Sequence, residues 1–120
     1  MKAPQERAQL RPRIRIQCGE DIALGPGKVD LLALIGETGS IRVAAERMNM
    51  SYMRAWTLIR TMNRCFKEPV VEAVRGGKQG GGARLTETGK RALVLYQRME
   101  KAFLHGASAD WREAKKLLRA

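Results

Sequence analysis

The sequence predicts a mainly helical domain with one small β-hairpin, and three observations carry that expectation. Apolar residues recur at helical spacing through most of the chain, with aliphatics and alanine dominant and aromatics at only 5%. Ser40, Ser51 and Thr86 each stand just ahead of such a run, where a side-chain oxygen can accept from a free helical amide. Short β-branched segments bounded by glycine or proline fill the gaps. At 120 residues the chain has the size of a single domain with one core.

Residues 1–12 are polar with two prolines and are expected to form a flexible arm. "RIRIQC" (13–18) alternates charge with isoleucine, the period of a half-buried strand, and "GEDIALGPG" reads as a turn-rich connector. Pro26 opens a helix, since no amide donor is needed at that position. Val29, Leu32, Ala33, Leu34 and Ile35 fall largely on one side of it, and Gly36 and Gly39 mark its end.

Ser40 caps the next helix, in which Ile41, Ala44, Ala45 and Met48 form one face. Asn49 suits the left-handed conformation of a tight turn. Ser51 caps a further helix that Pro69 ends. Its face of Ala55, Leu58, Ile59, Met62 and Phe66 turns inward, and Met53, Arg54, Thr57, Arg60, Thr61 and Arg64 turn outward. Two short helices divided by a few turn residues, the second basic outside, have the shape of a helix-turn-helix.

Val70–Val74 reads as a strand, followed by the glycine-rich "RGGKQGGGARLT" (75–86), whose "ARLT" supplies the returning strand. Thr86 and Glu87 then start a long helix. Ala92, Leu93, Tyr96, Met99, Phe103 and Leu104 repeat along it, while Val94 and Leu95 widen the apolar surface beyond one stripe. Such width predicts a second partner, a twin helix in a dimer. The tail from 105 to 120 is polar, with a marginal amphipathic pattern through Trp111, Ala114, Leu117 and Leu118. The full order predicts a winged helix-turn-helix over 13–104, with 86–104 as dimerisation helix.

The formal charge is +11, and it is concentrated: residues 40–91 hold eleven cationic and four acidic side chains. A basic surface of this kind draws polyanions, nucleic acid first. Glycine at a hairpin tip lets the backbone approach a phosphate closely, with Arg75, Lys78 and Arg84 supplying charge. The segment is no phosphate loop of an NTPase, because Lys78 is followed by Gln79 and a strand, not by Ser or Thr and a helix. In the helix from Ser51, the candidate groove contacts are Ser51, Tyr52, Met53, Arg54 and Thr57, with Arg54 able to fork onto a guanine edge. Ser51 has a competing task as cap, and Trp56 is read as core.

Acidic residues are scattered and His105 is the lone histidine, so no catalytic set and no metal site is expected. Cys18 and Cys65 lack metal-site spacing and are expected as free thiols. No apolar run approaches a membrane span and residues 1–13 have no secretory signal, so a cytoplasmic protein is expected.

Two segments, "TGSIRVAAERMNMSYMRAWTLIRTMN" and "GGKQGGGARLTETGKRALVLY", resemble the N-terminal DNA-binding domain of ModE-type molybdate-responsive transcriptional regulators. The specific elements are Gly39-Ser40-Ile41, Ser51-Tyr52, Ala55-Trp56, Met62-Asn63 and the glycines around Lys78. Leu85-Thr86 with Gly89 is shared more loosely with LysR-type regulators. The resemblance implies a transcriptional regulator that binds a palindromic operator on double-stranded DNA as a homodimer, in control of molybdenum-related genes. Full-length members carry C-terminal molybdate-binding domains. Only a short tail follows residue 104 here, so a stand-alone DNA-binding member is expected, with no cofactor and no identifiable small-molecule site. Two other classes are kept in view: a winged-helix protein-interaction module, and an oxyanion-binding sensor or carrier.

Overall fold

The computed structural model describes residues 8–74 and 82–119. The expected arm over 1–12 therefore lies mostly outside the described residues, as do Arg75 and Lys78. Among the described residues there are five helices and two antiparallel hairpins. In chain order they are β1 (Ile16–Cys18), β2 (Asp21–Leu24), α1 (Pro26–Thr38), α2 (Ile41–Arg47), α3 (Tyr52–Cys65), β3 (Val71–Val74), β4 (Gly82–Leu85), α4 (Glu87–Gly106) and α5 (Ser108–Lys116).

The first hairpin departs from the sequence expectation. The strand expected over 13–18 is reduced to three residues, and the segment read as a connector supplies its partner β2. Cys18 sits opposite Asp21 across a two-residue turn, in which Gly19 takes φ +63°. Glycine at that first central position is what a tight hairpin needs. Residues 13–15 stay outside the ladder, yet Ile14 and Ile16 still pack on the core. The hydroxyl of the fully buried Tyr96 donates to the Ile14 carbonyl at 2.7 Å and holds this segment against α4.

α1 is the central helix, touching β2, α2, α3, β4 and α4. Its surroundings explain why its apolar surface is broad. Leu31, Leu32 and Ile35 are fully buried, whereas Ala33 and Leu34, expected inside, are half-buried. α2 starts at Ser40, whose hydroxyl accepts from the Val43 amide, and Asn49 in the turn has φ 55°. α3 starts at Ser51 in the same way. Ile41, Ala44, Ala55, Ile59 and Met62 close the core between the two helices.

The second hairpin has Val71 opposite Leu85 and Val74 opposite Gly82. It is fixed to the rest at both ends. At the Gly82 end, the Ala83 amide donates to the Gly39 carbonyl at 3.1 Å. At the other, Val70 is a junction: its amide donates to Asn63 Oδ1 at 2.8 Å and its carbonyl accepts from the Thr86 amide at 3.0 Å. Gly89, in the first turn of α4, packs directly on that carbonyl, and a Cβ there would overlap it.

α4 runs twenty residues, two beyond the expected end. Its first half is anchored through Gly89, Ala92 and Tyr96, and its second half has no buried residue. α5 follows after Ala107 and likewise buries nothing. It takes in Trp111 and Ala114, while Leu117 and Leu118 lie past its end and are exposed.

Candidate nucleic-acid interface

The two-helix unit presents α3 outward by a simple division of residues. Ala55, Ile59 and Met62 are buried, three to four residues apart, with Leu58 and Phe66 half-buried beside them. The opposite side carries Met53, Arg54, Thr57, Arg60 and Arg64, all exposed. That outer face is where a helix-turn-helix meets the major groove.

The N-cap and first two turns of α3 hold five of the residues singled out from sequence, and they are not equivalent. The Ser51 hydroxyl accepts from the Arg54 amide at 3.0 Å, so it serves as the cap while its hydroxyl proton stays available. Tyr52 meets Trp56 edge to face, with ring centroids 6.3 Å apart. Trp56 in turn packs against the core, which places it as the support of Tyr52. Met53 is open to solvent, 68% exposed. Thr57 Oγ1 donates back to the Met53 carbonyl at 3.0 Å and keeps its lone pairs for a donor.

Arg54 makes no ion pair among the described residues and is exposed. Its planar fork is therefore free for a bidentate acceptor. Arg64, farther along the same helix, is engaged by Asp21 at 3.2 Å. Along the outer face, Arg54 and Arg60 are therefore without an ion pair among the described residues, and Arg64 at the C-terminal end is compensated.

Of the three hairpin cations expected to meet DNA, only Arg84 is among the described residues. It lies on β4 directly opposite Glu72, and Nε donates to the Glu72 carboxylate at 2.6 Å. Both side chains are exposed, so the pair is weak and open to exchange for another anion.

Asn63 is a positioning residue that sequence reading did not assign. Besides accepting from the Val70 amide, its Oδ1 accepts from the Val71 amide at 3.3 Å, and Nδ2 donates to the Val71 carbonyl at 3.1 Å. One amide side chain thereby docks β3 onto α3. Its signal in sequence was a polar residue beside Met62, two residues before the helix ends.

No protein-family model matches the chain. The chain is 46% identical over 77 residues to a molybdenum-pterin-binding protein MopB of Rhodobacter capsulatus, covering 64% of this chain and 28% of that one. It is 40% identical over 88 residues to the molybdenum transport protein ModE of Azotobacter vinelandii, covering 73% of this chain and 33% of that one. It is 42% identical over 82 residues to the DNA-binding transcriptional dual regulator ModE of Escherichia coli, covering 65% and 31%. The chain spans about a third of the length of these relatives. Over the aligned residues it is homologous to ModE-type regulators.

Proposed function

We propose that this ModE-like chain is a sequence-specific, DNA-binding transcriptional regulator with no catalytic role. The observation that carries the reading is the exposed N-terminal half of α3, with Arg54 unpaired and the β3–β4 hairpin docked alongside. In this reading α3 enters the major groove. Met53, Arg54, Thr57 and the edge of Tyr52 read bases, and the hairpin residues Arg75, Lys78 and Arg84 meet the sugar–phosphate backbone. The homologous regulators, one of them named as DNA-binding, support the same class.

The protein binds a palindromic operator as a homodimer. Support comes from α4, where Leu95, Met99 and Phe103 lie four residues apart and are each about two-fifths exposed. An apolar row of this length on a solvent-facing helix fits a second copy of the same helix. A two-fold pair of α3 helices then meets successive major grooves about one DNA turn apart.

Selection of bound sequences from random double-stranded DNA at near-physiological salt tests the reading. A palindromic consensus is the expected result. A pool that stays random, or binding that does not weaken with salt, rejects it.

A further inference from the structure

A cleft of about 290 Å³ opens beside α3. Its rim carries four cationic side chains from three separate segments: Arg13 and Arg15 from the extended segment ahead of β1, Lys28 from the first turn of α1, and Arg54 from α3. Ile22 and Leu58 add apolar lining. The alternation of "RIRI" is what delivers the two arginines. Ile14 and Ile16 turn to the core, with Ile14 held by Tyr96, so Arg13 and Arg15 are turned outward.

The cleft keeps its positive charge. Arg13, Arg15 and Arg54 make no ion pair among the described residues. Asp21, an acid close enough to act on Lys28, is itself bonded to Arg64. Lys28 Nζ donates to the Ile22 carbonyl, leaving two ammonium protons. Burial pulls the Lys28 ammonium below its ordinary pKa, and the Arg54 charge acts in the same direction. Four like charges around one concavity repel one another unless an anion sits among them.

We infer that this cleft is a second DNA-contact site, one that takes a backbone phosphate flanking the major groove read by α3. Arg54 belongs to both the groove-reading face and the cleft, so the two contacts are adjacent by construction. The chemistry recognised is a tetrahedral oxyanion, and the source assigned is the phosphodiester. The inference rests on α3 being the groove-reading helix, and the experiment separates the two claims.

The test compares the full chain with its Arg13→Gln/Arg15→Gln double variant on the selected operator, as affinity against salt concentration. Each lost phosphate contact lowers the slope of log K on log [salt] by about 0.9. The double variant is expected to lose about 0.9 from the slope per protomer, about 2 for a bound pair, while preferring the same sequence. The Arg13→Lys/Arg15→Lys variant retains the slope, which separates lost charge from lost folding. An Arg112→Gln/Lys115→Gln variant on α5 leaves it unchanged. If the unsubstituted chain binds operator and the Gln variant keeps its full slope, the cleft assignment is overturned and the groove reading stands. If the unsubstituted chain shows no salt-sensitive DNA binding, both fall. Inorganic phosphate supplies the third arm: a melting shift at constant ionic strength that the Gln variant lacks, together with unchanged DNA slopes, assigns the cleft to a free oxyanion and overturns the phosphodiester.

Discussion

Arg54 and Ser51 stand three residues apart, and in the proposed function they divide the helix start between structure and recognition. The hydroxyl of Ser51 holds the Arg54 amide, and that bond orients the first turn from which the guanidinium projects. Arg54→Ala is expected to relax base preference at one operator position with a loss of about 1–3 kcal/mol. Binding titrations on operator and single-base variants check this, and uniform weakening on all sequences would reject the forked contact. Tyr96 makes the complementary case inside the core. Burial, reinforced by Glu100 and Asp30, raises the pKa of its phenol above the ordinary value of 10.0. The folded state therefore favours the neutral form, and the contribution to stability is complete below pH 10. Above that, the unfolded chain ionises first and stability falls. Tyr96→Phe should cost about 0.5–1.5 kcal/mol at neutral pH, because the Ile14 carbonyl loses its donor, and should remove that part of the alkaline loss. Denaturant titrations at pH 7 and pH 10.5 measure both.

Among the elements, the helices were legible and the first hairpin was not. Ser40, Ser51 and Thr86 each cap the helix their position suggested, because an N-cap is a local bond between neighbours in sequence. Asn49 took the left-handed turn for the same local reason. β2 was missed because "DIAL" has no alternation of its own: Ala23 and Leu24 are both buried, and the strand lies against α3 and α1 as well as pairing with β1. That burial is decided by tertiary neighbours, and the only local trace was Gly19. Asn63 escaped for a like reason. Its partners, Val70 and Val71, lie beyond the end of its helix, and nothing in a helical pattern predicts three bonds to a following strand. Asn63→Ala should lower stability by about 1–3 kcal/mol, since the strand amides lose their acceptor. It should also reduce hydrogen-exchange protection at Val70 and Val71 more than at Ile59, and equal effects at all three would argue against a local clamp.

On the scale of the whole molecule, the order of helices and the returning hairpin could be derived from sequence, while the distribution of charge in space could not. The basic middle of the chain pointed to α3 and the glycine-rich segment, yet two of the four cations around the cleft come from residues 13–15, in a part of the sequence with almost balanced charge. Net charge along a chain does not report which cations meet. The apolar row on α4 gives the corresponding expectation for assembly. Phe103→Glu should shift the protein toward monomer in sedimentation velocity and weaken operator binding, with the fold of each copy retained because that half of α4 has no buried residue among the described residues. A lasting dimer in that variant would move the interface elsewhere. Val70 then acquires a mechanical meaning. Through its amide, its carbonyl and the bare backbone of Gly89, it couples the end of α3 to the start of α4 with no intervening hinge. Two copies joined by α4 would behave as calipers with a set opening. Adding or removing a base pair between half-sites would leave one jaw off its groove, so operator spacing should be tolerated far less than changes in the bases themselves.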